Sequence, residues 1–109
     1  MSGDLSQLMA QAQEAQQKLQ ALQQELAARR VEGTSGGGMV KASVSGAMRV
    51  LAIEIEPQLL DSGDRDMLQD LVAAAVNAAL GNAQRMIQEE MQRASASFNI
   101  PIQLPGAGE

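Results

Sequence analysis

The chain has 109 residues, enough for one domain, and its 13 acidic and 8 basic side chains give a net charge of −5. It contains no Cys and no His, which excludes a disulfide framework, a thiolate zinc site and the commonest general base of enzymes. With one Phe and neither Trp nor Tyr, it also lacks an aromatic platform for stacking single-stranded bases.

The sequence shows no membrane-spanning stretch and no secretory signal. No run approaches the roughly 20 apolar residues of a membrane span. Residues 1–8 lack the basic segment and the apolar segment of a signal peptide. We therefore expect a cytoplasmic protein without membrane contact.

Residues 4–30 contain neither Gly nor Pro and are predicted to form a long N-terminal helix that ends with Arg29 and Arg30 in its last turn. Apolar residues recur along it at alternating spacings of three and four, the heptad pattern of a coiled-coil seam. The seam comprises Leu5, Leu8, Ala12, Ala15, Leu19, Leu22 and Leu26. This seam can pack either on a second copy of the chain or on the chain's own domain.

Two segments in the middle of the chain have the period of β-strands. Residues 39–45 and 49–56 alternate between apolar and polar side chains, and a short turn at Gly46 joins them as an antiparallel hairpin. The side chains expected to point inward from the second strand are Leu51, Ile53 and Ile55.

The segment before this hairpin is rich in Gly. Residues 31–33 are predicted to add a short third strand, which completes a sheet over residues 31–56. Residues 33–38 are predicted to form a turn or a bulged strand edge. Pro57 is expected to end the sheet, because proline cannot donate a ladder hydrogen bond.

Residues 65–96 are predicted to form a second long helix, whose wide apolar stripe is typical of a helix packed on a sheet. Residues 98–109 are predicted to be a flexible tail. The order of elements predicts one α+β domain over residues 1–97, with a long N-terminal helix, a small antiparallel three-stranded sheet and a long C-terminal helix.

No motif predicts catalysis, a cofactor or a metal site. The Gly-rich segment lacks the preceding strand and the directly following Lys of a phosphate loop. The acidic residues near the start of the second helix lack the ligand spacing of a calcium loop, and helix capping explains them. They are Asp61, Asp64, Asp66 and Asp70. We expect a protein that is not an enzyme.

The basic residues suggest one local patch. Arg29, Arg30, Lys41 and Arg49 are expected to converge where the first helix meets the sheet, and Lys18 extends the patch along the helix. Such a patch can bind the phosphates of duplex DNA even on an acidic protein, because fields are screened beyond about 8–10 Å. Ordinary surface charge is the alternative interpretation.

An ordered set of segments resembles the YbaB/EbfC family of nucleoid-associated proteins over about residues 5–95. The segments are residues 8–13 (LMAQAQ), 36–41 (GGGMVK), 44–46 (VSG), 53–57 (IEIEP) with 59–60 (LL), and 68–79 (LQDLVAAAVNAA). The resemblance implies an intertwined homodimer with projecting helical arms. It also implies binding of double-stranded DNA with little sequence preference, at the nucleoid, in nucleoid organisation and gene regulation.

These expectations assign residues to two surfaces. The DNA-binding residues are Lys18, Arg29, Arg30, Lys41 and Arg49, and the dimer interface comprises Leu5, Leu8, Leu19, Leu22, Leu26, Leu51 and Ile53. The alternative function is a protein-interaction scaffold that acts with replication or recombination factors without direct DNA binding. The net charge of −5 favours this alternative.

Overall fold

The computed structural model describes residues 2–98 as two long helices and a three-stranded antiparallel sheet. In chain order the elements are α1 (Ser2–Ala28), β1 (Arg30–Ser35), a 3-10 turn (Gly36–Gly38), β2 (Val40–Ser45), β3 (Val50–Ile55), α2 (Pro57–Asp61) and α3 (Arg65–Phe98). The strand order is β1-β2-β3, so β2 is central and β1 and β3 are the edges. The predicted α+β class and the order of its main elements are confirmed.

The core lies between one face of the sheet and α3. It is built mostly from small residues, with one leucine: Val40, Ala42 and Val44 of β2, Leu59 of α2, and Ala75, Ala79 and Ala83 of α3. α3 packs on β1 and β2 and makes little contact with β3. Because its stripe is mostly alanine, the helix lies close to the sheet and buries little apolar area per residue.

The backbone of β1 touches the backbone of α3 at Gly33. A Cβ atom on Gly33 would lie 2.2 Å from the backbone nitrogen of Ala79, so no side chain fits there. Two hydrogen bonds hold the same contact from either side. Ser35 Oγ donates to the Leu71 carbonyl at 2.5 Å, and Asn82 Nδ2 donates to the Glu32 carbonyl at 2.9 Å. α3 is therefore fixed over β1.

The first helix packs on the rest of the chain through its last turns. Leu26 is 2% exposed and lies beside Gly46, Ile87 and Met91. The Cα positions extend over 75 × 30 × 15 Å, and their radius of gyration of 20.2 Å exceeds the about 13 Å of a compact chain of about 100 residues. Most of α1 therefore projects from the domain as an arm.

The C-terminal end of α1 differs from the prediction. The helix ends at Ala28, and Arg30 is the first residue of β1, where it pairs with Ser45. Gly46 N donates to the Arg29 carbonyl at 3.0 Å, and Ala47 N donates to the Ala27 carbonyl at 3.2 Å. These bonds replace the helical pattern because β2 offers a strand ladder to the chain that follows.

The Gly-rich segment, predicted as a turn or a bulged strand edge, is divided between a strand and a turn. β1 continues through residues 33–35, and the reversal is confined to Gly36–Gly38, where all three glycines have positive φ. The segment after β3 contains the short helix α2 with Pro57 in its first turn. Of the acidic residues near α3, Asp64 caps the helix, since its Oδ1 accepts a hydrogen bond from Met67 N at 3.0 Å.

The last strand is less buried than its alternating pattern predicts. Leu51 and Ile53 are 50% and 41% exposed, and Ile55 is half-buried. Two features explain this difference. α3 leaves β3 uncovered, and a bulge between β2 and β3 near Ser43 and Val44 interrupts the alternation.

The second long helix is close to its predicted bounds and ends at Phe98. From residue 99 onward, the predicted tail over residues 98–109 lies outside the described residues. No helix within residues 2–98 combines the length and the apolar character that a membrane crossing requires.

Replacing Gly33 by Ala should destabilise the fold by about 2–3 kcal/mol, because the added methyl overlaps the α3 backbone. Gly81 provides the matched control, since it lies within α3 and a methyl group added there would meet nothing within 4 Å. Gly81→Ala should stabilise by about 0.5–1 kcal/mol through its helix propensity. Urea unfolding at a fixed protomer concentration measures the free energy of unfolding of both variants. A Gly33→Ala protein as stable as the parent would contradict the packing described.

Candidate nucleic-acid interface

Three of the predicted basic residues meet where α1 joins the sheet. Ser45 N donates to the Arg49 carbonyl at 2.8 Å, and Gly46 N donates to the Arg29 carbonyl at 3.0 Å. Arg30 pairs with Ser45 across β1 and β2. The backbones of the three arginines are thus gathered around two residues, and we call this group, Arg29, Arg30 and Arg49, the arginine junction.

The turn that carries Arg49 is held firmly. Ser45 Oγ accepts hydrogen bonds from Ala47 N at 3.2 Å and from Arg49 N at 3.4 Å. Gly46 lies so close to α1 that a Cβ atom there would be 1.8 Å from the Leu26 carbonyl oxygen. The end of α1 and the β2–β3 turn therefore form one packed unit, which sets the spacing of the arginine junction.

The members of the arginine junction differ in their partners. Arg29 forms ion pairs with Glu25 at 2.7 Å and with Glu90 at 3.5 Å. The hydrogen bond with Glu25 is the largest cause that raises the pKa of Arg29 above its usual value. Arg30 and Arg49 are exposed and form no ion pair with any carboxylate of residues 2–98. They are the two junction cations free to bind an external anion.

Lys41 does not join this group, contrary to the prediction. It lies near the other end of β2, four residues and about 13 Å along the strand from Ser45. Its Nζ atom is 3.3 Å from Glu54 and 3.7 Å from Glu32. The hydrogen bond with Glu54 is the main cause that raises the pKa of Lys41, so the amine stays protonated. The three side chains together carry a net charge of −1.

Lys18 lies on the projecting part of α1, about 16 Å along the helix from Arg29. Its Nζ atom is 3.1 Å from Glu14, one turn earlier, and both side chains are exposed. An exposed pair of this kind contributes little to stability but offsets the local charge of the lysine. The arm therefore carries no net positive patch at this point.

The ion pairs that these cations form were not predicted from the sequence. A spacing of four residues, which brings side chains together on a helix, could have indicated two of the pairs, Glu14 with Lys18 and Glu25 with Arg29. Glu90 approaches Arg29 from α3, and no sequence spacing indicates that contact. Within the described chain, no cluster of three or more acidic side chains is arranged to hold a metal ion.

The residues predicted for the dimer interface fall into three environments. Leu26 is buried inside its own chain, and Leu19 and Leu22 are half-buried. Leu5 and Leu8 are exposed on the arm. Leu51 and Ile53 are exposed on β3, and Val50 is exposed beside them. The predicted seam is therefore divided between a part that packs on α3 and a part without a partner in the described chain.

The comparison with known families decides what kind of protein carries this site. The sequence profile of the YbaB/EbfC DNA-binding family matches residues 1–98. The chain belongs to the YbaB/EbfC family. This confirms the resemblance found in the sequence.

Curated relatives of this YbaB/EbfC chain are nearly equal to it in length. It is 48% identical over 101 residues to a nucleoid-associated protein of Pelotomaculum thermopropionicum, covering 93% of this chain and 96% of the relative. It is 46% identical over 98 residues to the nucleoid-associated protein TTE0040 of Caldanaerobacter subterraneus subsp. tengcongensis, covering 90% and 88%.

A solved structure supports the fold. The crystal structure of the uncharacterized protein HP0035 from Helicobacter pylori superposes with a TM-score of 0.54 at 22% sequence identity, and the match covers 83% of this chain and 98% of that one. At this identity the similarity establishes the fold, and it agrees with the α+β architecture described above.

Proposed function

We propose that this chain is a nucleoid-associated protein that binds double-stranded DNA through its phosphate backbone, with low sequence specificity. In this role it contributes to nucleoid organisation and gene regulation in the cytoplasm. The observation that carries the proposal is that Arg30 and Arg49, in a member of a DNA-binding family, are exposed and pair with no carboxylate of residues 2–98.

Phosphate contact suits the position of these arginines. Guanidinium groups bind phosphate oxygens through two parallel hydrogen bonds, and such contacts position a protein without reading sequence. Arg30 begins an edge strand and Arg49 lies just before another strand. Because contacts to phosphate oxygens carry no sequence information directly, the proposed contact includes low sequence specificity.

We further propose a homodimer formed through β3. Edge strands with exposed apolar side chains are templates for pairing with another chain. β3 presents Val50, Leu51 and Ile53 at an edge that α3 leaves uncovered. A twofold axis normal to the sheet pairs two copies of β3 antiparallel and joins the two sheets, which buries these residues while both arms stay free.

Dimerisation makes the proposed DNA contact stronger. Each protomer contributes Arg30 and Arg49, so the dimer offers four guanidinium groups that no carboxylate of the described part of the chain holds. If they neutralise about four phosphates, log K should fall with log salt at a slope of about −3.6. Lys18, Arg29 and Lys41 add less, because carboxylates of the same chain already hold them.

The dimer can be tested by placing a charge on β3. Ile53→Asp should shift the protein to monomers, because a carboxylate at the pairing edge opposes burial. Leu8→Asp is the matched control, since Leu8 is at least as exposed but lies on the arm. Sedimentation equilibrium distinguishes the species. A dimer that survives Ile53→Asp and dissociates with Leu8→Asp would place the interface on α1 instead.

The DNA contact can be tested by removing the unpaired arginines. Arg30→Ala/Arg49→Ala should weaken binding to all duplexes about equally and bring the salt slope close to zero. Lys41→Ala should change the slope by less than about one, because the lysine is already neutralised. Fluorescence anisotropy with labelled duplexes of several sequences measures both quantities.

Two outcomes would contradict this mechanism. Binding by the parent protein that does not change between low and moderate salt would exclude phosphate contact as its basis. A loss of affinity confined to one sequence in the double variant would indicate base recognition at the arginine junction.

A scaffold that acts with replication or recombination factors is the second candidate. The ion pairs of Lys18, Arg29 and Lys41 favour it, because they remove most of the predicted cationic patch, and so does the net charge of −5. One direct measurement distinguishes the two functions, the binding of a random-sequence duplex by the purified protein. A purified dimer that shows no binding to a random-sequence duplex at low salt would support the scaffold.

A further inference from the structure

The outer part of α1 carries apolar side chains that the described chain does not cover. Leu5, Leu8 and Met9 are 61%, 63% and 58% exposed. The inner part of the same helix is already packed, since Leu26 is buried and Leu22 lies beside Ala94 of α3. The unused surface is thus limited to the first half of the helix, which we call the arm tip (residues 4–18).

The apolar residues of the arm tip are arranged as two large side chains followed by two small ones. Leu5 and Leu8 come first, and Ala12 and Ala15 follow at the same heptad positions. An antiparallel pair of tips places Leu5 opposite Ala15 and Leu8 opposite Ala12 of the other copy. Large side chains then fill the space above small ones in every layer. A parallel pair places Leu on Leu and Ala on Ala, which leaves gaps where alanine faces alanine.

The charges select the same orientation. Asp4 and Lys18 occupy equivalent heptad positions on one flank of the seam. In the antiparallel register, Asp4 of each tip faces Lys18 of the other, so two opposite-charge pairs form. In a parallel pair, Lys18 would face Gln23 and Asp4 would face Met9, and no charge pair would form. Shape and charge therefore agree on one register.

We propose that the arm tips of two dimers pair antiparallel over residues 4–18 and so connect one dimer to another. If each dimer binds a duplex, paired dimers hold two duplex segments together, and this consequence rests on the proposed function. In this contact Lys18 exchanges its exposed ion pair with Glu14 for a carboxylate of another copy, a role that differs from the phosphate contact predicted for it.

The contact is expected to be weak when it acts alone. The overlap from Leu5 to Ala15 is about 15 Å long, which is short for a stable protein interface. Dimers held on the same DNA are concentrated relative to one another, and a weak contact then becomes effective. Pairing of tips should therefore increase when duplex is added.

Cysteine cross-linking tests the register, since the native chain has no Cys. Leu5→Cys protein and Ala15→Cys protein are mixed and oxidised, with and without a random-sequence duplex. We expect disulfides between the two variants at a yield that exceeds the yield within either variant alone. The control replaces Ala15→Cys by Gln17→Cys, which lies on the arm outside the seam and should give background yield.

The cross-linking outcome decides the proposal even if DNA binding fails. Disulfides formed mainly within each variant would indicate parallel pairing and overturn it. Yields equal to the Gln17→Cys control, with and without duplex, would also overturn it. Cross-links between variants in a protein that binds no duplex would support the pairing of tips while contradicting the proposed function.

A bridging assay tests the consequence. A duplex fixed on beads captures a second, labelled duplex through the protein. Leu5→Ala/Leu8→Ala should reduce capture to background while affinity for a single duplex stays unchanged. The control Gln7→Ala/Gln17→Ala alters the same arm outside the seam and should capture as the parent does. Capture that survives the leucine substitutions would overturn a role of the arm tips in bridging.

Discussion

The close contact between β1 and α3 at Gly33 determines how the surfaces of this protein are distributed. Because strand and helix backbones touch, α3 lies over β1 and β2 and its alanines suffice to fill the core. The same placement leaves β3 uncovered, with Leu51 and Ile53 exposed. α1 packs on α3 through its last turns alone, near Met91 and Ala94, so the arm projects. The free edge is thus a consequence of one tight contact, and the free arm follows from the short overlap of the two long helices.

Much of the fold could be predicted from the sequence because its periodicities are local and strong. The two long helices, the hairpin and the order of elements follow from such patterns. The sequence predicted that α1 includes Arg29 and Arg30, whereas the helix ends at Ala28. The pairing of Arg30 with Ser45, which is distant in the sequence, ends the helix there. The exposure of Leu51 was also misjudged, because a bulge leaves Leu51 without a partner on β2 and because α3 does not cover β3. Neither feature can be read from an alternating pattern.

The candidate site shows the same division between local and distant information. The sequence identifies every cation, and helical spacing indicates the partners of Lys18 and Arg29 on their own helix. Which cations remain free depends on the tertiary structure. Lys41 is held by Glu54 from the neighbouring strand, whereas Arg30 and Arg49 have no such partner within residues 2–98. An acidic protein can thus present a small positive region, because its carboxylates neutralise other cations.

The most direct test of the proposed DNA contact is to map it on the free surface of the protein. Titration of isotope-labelled protein with a short random-sequence duplex at low salt can be followed by the amide shifts in NMR spectra. The largest changes should occur at Arg30, Ser45 and Arg49, with small changes at Lys41 and Glu54. Changes centred on Lys41 and Glu54, or none at the arginine junction, would contradict the assignment of this junction as the DNA-binding surface.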